Sequence, residues 1–377
     1  MTTQTTPAPP GTAGAATPPR PRSLADAGRW LAHPGRPTSA LMGLALFGGA
    51  LWAAFGDPFI NLIGQSCVVY AVAAIGQSIL MGSAGQVAFS GGAFMAVGAF
   101  ATGMMAGTPL EPFPLPLLLS AVVGWVIGLI SGLPGLRFRG LYLLLASLAL
   151  QFIVLSVAKM YQAAYHPAGV VVPLLHIGSL DLSSGQSLYV TLLVILALVY
   201  AATWAVERTG IGLAWRAIRE SEVAAAVSGI DVTRWKLYAF AASGAVTAMA
   251  GSLFAYLVGR ADYQSYELTL SISLITMIFI GGIRSRLGAL VGAVVITTLP
   301  YILQNNLSDW LSTVGLDADW YTSHQSQVNA GLFSLLFLLV VLFEPHGIEG
   351  LLHKAERAVR RVVGALLRRR RTEGSPA

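Results

Sequence analysis

The sequence predicts an all-α polytopic membrane protein of about ten transmembrane helices, with both termini cytoplasmic. Three observations predict it. Apolar residues make up 55% of the 377-residue chain and charged residues only 11%, against about 25% in a soluble domain. A surface that poor in charge needs lipid as its solvent. The apolar residues fall in runs long enough to cross a hydrocarbon core as helices, the element that satisfies its own backbone in lipid. The basic residues, finally, gather in alternate connecting segments.

The expected spans are 39–55, 59–81, 84–106, 114–133, 140–159, 187–206, 237–258, 267–283, 287–304 and 327–343. The stretch SLYVTLLVILALVYAATWAV (187–206) is the clearest. Its uncharged residues rise about 30 Å as a helix, the thickness of the core. The third, eighth and ninth spans are interrupted or flanked by Gly82, Gly85, Gly91, Gly92, Gly281 and Gly282. With the N-terminus inside, 21 of the 23 Lys and Arg residues fall in inner segments, and only Lys159 and Arg260 lie elsewhere. Basic loops stay cytoplasmic, so this asymmetry fixes an even parity. The formal net charge of +6 therefore reports topology rather than nucleic-acid binding.

Residues 1–37 form a Pro-, Thr- and Ala-rich tail that cannot bury a core and is expected to be a disordered cytoplasmic segment. It lacks the short apolar stretch of a cleavable signal, so the first span is expected to be retained. A transmembrane domain occupies 38–345, with 207–236 as its one long polar inner loop. In 346–377, Leu351, Leu352, Ala355, Val359, Val362, Val363 and Leu366 recur at helical spacing opposite Lys354, Arg357, Arg360 and Arg361. That is a basic amphipathic cytoplasmic tail suited to an anionic leaflet; a frayed, solvated tail is the plain alternative.

Several chemistries find no support. Cys67 is the only cysteine, so there is neither an intrachain disulfide nor a thiolate cluster. The histidines make no HExxH pattern, no metal site is expected, and none of the three lysines follows a glycine as a phosphate-binding loop requires. The chain reads as a non-enzyme with no catalytic residues and no ATPase site of its own. Ionisable residues inside the spans, which mark proton and ion relays, are nearly absent; Lys159 sits at a span end, where it can snorkel. Any energy for uphill movement of a solute would then enter from outside the chain.

The inner loop is the natural point of entry. Helix is expected from Leu213 to Ala226, with Arg216 four residues from Glu220 and Arg219 three from Glu222 along one face. Gly229 is placed to close it, and Asp231 to cap the helix running through Trp235 and Lys236 into the next span. A solvated connector is the plain reading of such a loop. A docking helix for a soluble subunit is the sharper one. In the third span, Gly82, Gly85, Gly91 and Gly92 are expected to open the helix and present backbone N–H groups to a carboxylate. Gln86, Phe89 and Ser90 flank that break, and Tyr142 and Ser147 on the fifth span are candidates to face it. Close helix packing is the competing account of these glycines, and interhelical hydrogen bonding that of Gln65, Gln77 and Gln151.

The stretch TGIGLAWRAIRESEVAAAVSGIDVTRWKLYAFAASGAVTAMAGSLFAY (209–256) resembles the cytoplasmic loop and following helix of the LivM-type permeases of branched-chain amino acid ABC importers. Gly212, Arg216, Ala217, Ile218, Arg219 and Glu220 match the core of that pattern. Ala225, Ala226, Gly229, Ile230, Lys236, Ala239, Phe240, Ala250 and Gly251 continue it. GSAGQVAFSGGAFMAVGAF (82–100), FIGGIRSRLGALVGA (279–293) and VLFEPHGIEGLL (341–352) are similar to further segments of the family. Two positions depart from it: no His stands at Gly91 or Gly92, and HPAGVVVP (166–173) replaces a Thr-Gly-Gly-rich outer loop.

The resemblance implies a permease subunit of the bacterial inner membrane for branched-chain amino acids or a related small polar solute. It implies a second, homologous permease subunit, two cytoplasmic ATPase subunits that use the ATP, and a periplasmic or lipid-anchored solute-binding protein. No cofactor is implied on this chain. ATPase coupling would fall to Arg216, Arg219, Glu220, Glu222, Ala225 and Gly229. The solute pathway would include Gly85, Gln86, Phe89, Ser90, Gly91, Gly92, Tyr142 and Ser147. The residues alone also admit an ion-gradient-driven secondary transporter or a channel-like membrane protein.

Overall fold

The computed structural model describes residues 56–313 apart from 110, 138–139, 173–174, 178–179, 182–184 and 284, together with the isolated positions 328 and 331. The expected spans at 39–55 and 327–343 and both tails therefore lie outside the described residues, those two positions aside. Within them, six helices are long and apolar enough to cross a membrane by length and composition.

Helix α1 (Pro58–Ser78) opens with proline in its first turn, where the missing N–H costs nothing, and is buried along nearly its whole second half. It ends in a π-helical turn, Ile79–Ser83. Residues 84–90 leave helical geometry, and Gly85 takes φ +68°, a left-handed conformation that suits glycine. Helix α2 (Gly91–Gly103) follows, 13 residues long. The expected third span, 84–106, is thus a non-helical segment and a half-length helix, which rises only about 20 Å. Irregular backbone at membrane depth persists only where protein covers it. Here Ala84, Ala88 and Ser90 are all buried.

Helices α3 (Leu115–Arg137), α4 (Leu141–Tyr165) and α5 (Gly185–Arg208) form the outer part of the bundle. Each turns large apolar residues outward, among them Val122, Ile130, Ile153, Val157, Val194 and Leu198. Residues of that kind facing lipid cost nothing. Short helices α6 (Gly210–Glu220) and α7 (Glu222–Val227) make up the polar loop. Helix α8 (Val232–Val258) is the central element, lined with Ala239, Gly244, Ala248, Gly251 and Ala255. A side chain at Gly251 would strike the backbone carbonyl of Met95, and one at Gly98 that of Ala248. Helices α2 and α8 therefore touch backbone to backbone, as small residues allow in membranes.

Helices α9 (Leu268–Gly281) and α10 (Arg286–Thr313) form a tight hairpin in which Gly281 abuts Gly288. Helix α10 runs on past the expected end at 304, into what the sequence suggested was a loop. The C-termini of α1 and α5, α6 and α7, and the N-termini of α8 and α10 share one end of the bundle, the loop end. At the opposite end, β1 (Val170–Val171) pairs antiparallel with β2 (Arg260–Ala261). A 3-10 turn, Tyr263–Tyr266, leads from there into α9.

Candidate functional site: a buried break and a polar joint

Side chains from other spans cap amides at the break between α1 and α2, in which Ala84, Ala88 and Ser90 are buried while Gly85 and Val87 stay exposed. The Phe89 N–H donates to Ser147 Oγ (2.9 Å), and the Gly92 N–H to Ser271 Oγ (2.8 Å). The Ala93 N–H donates to Gln151 Oε1 at 2.5 Å, while Gln151 Nε2 donates to the Tyr266 carbonyl (2.8 Å). The first N–H groups of a helix have no partner within it; here α4 and α9 supply them. Ser147 thus faces the break as expected. Tyr142 is 68% exposed at the start of α4. Gly85 packs on the Arg219 side chain, and Gln86 bonds to its local backbone.

Gln65 and Gln151 bond across helices as their type suggests: Gln65 Nε2 donates to the Gly185 carbonyl (2.7 Å). Gln77 differs. It is fully buried, and neither amide atom has a hydrogen-bond partner among the described residues. Its Nε2 lies against Gly91, the first residue of α2. The hydroxyl of fully buried Ser90 is likewise without a partner among the described residues. Native structures satisfy nearly all buried polar groups, so this pair makes the head of α2 a candidate polar site, alongside other buried groups without partners among the described residues, such as Ser131, Ser243 and Thr247. Gln77 and Ser271 were missed as site residues because nothing local marks them. Only the fold sets them beside residues 91 and 92.

The loop end departs from expectation in its backbone. The continuous helix expected over 213–226 is interrupted at Ser221, whose φ of −162° and ψ of 116° are extended. Three local caps explain the pattern. Thr209 Oγ1 accepts from the Ile211 N–H, Ser221 Oγ from the Ala224 N–H, and Asp231 from the Arg234 N–H. Ser221 offers its oxygen to a new helix start, so the chain turns there. Gly229 takes φ +81° and bonds back to the Ala226 carbonyl, the closing role its position predicts.

With the helix broken, the charges regroup. Arg219 and Glu222 no longer share one helical face. Arg219 Nη1 donates to the Gly82 carbonyl and its Nη2 meets Glu220 at 3.3 Å. Arg216, expected beside Glu220, donates to the Glu207 carbonyl (2.5 Å). Glu222 pairs with Lys236 at 2.5 Å, the lysine being 4% exposed. Trp215, buried, donates from Nε1 to the Trp235 carbonyl (2.9 Å) and fastens α6 to α8. Ala225 is buried against the bundle, while Val223 (70% exposed) and Val227 (86%) point away from it, beside exposed Ala224 and Ala226. The joint thus has a fixed inner face and an open outer face of small and branched apolar residues.

Glu207 and Arg286 also belong to this joint and were not singled out from the sequence. Glu207 accepts from Ser83 Oγ (2.6 Å) and pairs with Arg286 Nε (3.1 Å). These partners lie far apart in the chain, so no spacing rule reaches them. Ser78, Gly82, Ser83, Glu207, Arg216, Arg219, Ile283, Ser285 and Arg286 line a cavity of about 340 Å³ between the loop helices and the bundle. Among the described residues, no group of three His, Cys, Asp or Glu side chains is placed to hold a metal ion.

A family model described as "branched-chain amino acid transport system / permease component" matches residues 59–343. The LivM high-affinity branched-chain amino acid transport permease protein of Salmonella typhimurium is 26% identical over 259 residues, 62% of this chain and 61% of that protein. The LivM protein of Escherichia coli is 24% identical over the same shares. A probable branched-chain amino acid transport permease protein, LivH, of Methanocaldococcus jannaschii is 27% identical over 276 residues, 70% of this chain and 82% of that one. The chain spans 61% of the length of the LivM relatives it matches.

Proposed function

Because the chain belongs to the family of branched-chain amino acid transport system permease components, we propose that it is the membrane-spanning permease subunit of an importer driven by separate ATPase subunits. Its solute is a branched-chain amino acid or a related small polar molecule. A second, homologous permease subunit completes the membrane portion, a solute-binding protein delivers the cargo, and ATP is used only on the partner subunits. The setting is a bacterial inner membrane with the loop end cytoplasmic. The distribution of charge supports that orientation: Arg137, Arg208, Arg216, Arg219, Arg234, Lys236 and Arg286 lie on elements that meet at the loop end. Lys159 and Arg260 lie toward the other.

The observation that carries this reading is the two-faced joint. A segment that transmits force needs one face bonded to the moving spans and one free for the motor. Trp215, Ala225, Lys236 and the Arg219 contact to Gly82 supply the first. Glu220, Val223, Val227 and Gly229 supply the second. Closure of the ATPase pair would draw the joint inward and rock the spans against each other. The unpartnered Gln77 amide and Ser90 hydroxyl support a reading in which the solute makes polar contacts at the head of α2. On this reading Ser147, Gln151 and Ser271 exchange their bonds with the α2 amides as the break opens.

The test is ATP-dependent uptake of labelled leucine in vesicles holding the permease pair, the ATPases and the binding protein. Glu220→Lys and Val227→Glu, both on the open face, are expected to abolish uptake and to lower co-purification of the ATPase while the protein remains inserted. Wild-type uptake in both variants would remove the coupling role from this joint.

A further inference from the structure

The lining of the 340 Å³ cavity is unusual in its charge. Three guanidinium groups, those of Arg216, Arg219 and Arg286, face one lining carboxylate, Glu207. Glu220 pairs with Arg219 from the rim and is largely exposed. Counting both carboxylates, the described groups are left with one excess positive charge; Arg216 is exposed at the mouth, while Arg219 and Arg286 are partly buried. Arginine carries its charge at all relevant pH values and presents five N–H donors. Few of those donors are used: one of Arg216 to the Glu207 carbonyl, two of Arg219 to Gly82 and Glu220, one of Arg286 to Glu207. Arg219 Nε and Arg286 Nη1 are buried with no hydrogen-bond partner among the described residues. Leaving charged donors unmatched next to low-dielectric surroundings is costly.

We propose that this cavity is a binding site for a small monocarboxylate, held by Arg216, Arg219 and Arg286, with Glu207 limiting its affinity. A single carboxylate neutralises the excess charge, and its planar pair of oxygens matches the guanidinium fork. The cavity of about 340 Å³ is large enough for acetate or a small amino acid with water beside it. The bound anion bridges α6 to the start of α10 and so ties the polar loop to the α9–α10 hairpin. The site stands on its own lining and is tested by binding alone, so its failure leaves the transport reading untouched, and the reverse holds too. If that reading is right, the ligand reaches the site from the cytosol; the imported amino acid offers the same carboxylate but, as a zwitterion, leaves the excess charge unbalanced and is the weaker ligand.

The full-length chain in nanodiscs of zwitterionic lipid is titrated with sodium acetate, L-leucine, sodium phosphate and sodium chloride at matched ionic strength. Calorimetry gives affinity and a thermal-unfolding midpoint gives stabilisation. Acetate is expected to bind saturably. Leucine binding at the same site, shown by competition, assigns the transported class as ligand; acetate binding without leucine binding assigns a smaller cytosolic acid. Arg286→Gln and Arg216→Gln should each weaken acetate binding about tenfold, the effect of losing one charge-assisted bond. Glu207→Gln should tighten it, because the competing carboxylate is gone, and a folding defect cannot produce that gain. A chloride response equal to that of acetate overturns the proposal. So does tighter binding of phosphate than of acetate, or a Glu207→Gln variant that binds acetate no better than the wild type.

Discussion

The chain leaves helical geometry at two places that matter, and it handles them in opposite ways. At residues 84–90, inside the bundle, the amides around the start of α2 are capped by Ser147, Gln151 and Ser271, which lie 58 to 179 positions away. At residues 209–231, on the loop end, Thr209, Ser221 and Asp231 cap amides only two or three positions on. The first break is held by the bundle, and opening it requires spans to move. The second has its backbone caps within the loop itself, so it keeps its local shape while Trp215, Arg219 and Glu222 fasten it to the spans beneath. A transmitting joint benefits from being rigid on its own account. A solute path benefits from bonds that other helices can withdraw.

That contrast can be challenged by measurement. Gln151→Leu should have the largest effect on stability, since it strands both the Ala93 N–H and the Tyr266 carbonyl in the interior. Two unsatisfied buried groups cost about 2–6 kcal/mol, read from the midpoint of unfolding in mixed micelles. Ser271→Ala strands only the Gly92 N–H and should cost about 1–3 kcal/mol in the same assay. Ser221→Ala removes an exposed cap and should cost about 1 kcal/mol, with fraying confined to α7 by hydrogen exchange. An equal cost for Ser221→Ala and Gln151→Leu would erase the distinction between the breaks. A Gln151→Leu variant of wild-type stability would show that water or a rearranged partner takes over the amides, and the head of α2 would no longer be a guarded site.

Much of the joint was legible in the sequence for the same reason that it is self-held. Capping and closing residues act over two to four positions, so Gly229 and Asp231 announced their roles. Ser221 offered the same chemistry, yet the Arg–Glu spacings around it suggested a continuous helix. The hydroxyl cap won because those pairs, at the surface, stabilise a helix by only about 0.2–0.5 kcal/mol each. Glu222 meanwhile gains a nearly buried lysine beyond the reach of any local rule, because Lys236 lies on the next helix, α8. The glycines of 82–92 marked the other break, but not what seals it. Gln77, Ser271, Glu207 and Arg286 stayed hidden because each acts on a residue from a distant span.

The sequence by itself determined the solvent of this protein, the approximate place of its spans and the sidedness of its charge. Those follow from hydropathy and from basic residues counted loop by loop, which are properties of short windows. It also determined the family, through a loop motif whose spacing is local. Only the tertiary structure decided which polar groups meet: the three distant caps on the head of α2, the Glu207 links to Ser83 and Arg286, and the arginine-lined cavity they border. In a bundle of apolar helices many rotations bury similar area, so the periodicity of one helix cannot name its neighbour. The backbone contacts at Gly98 and Gly251, where no side chain fits, set which faces come together.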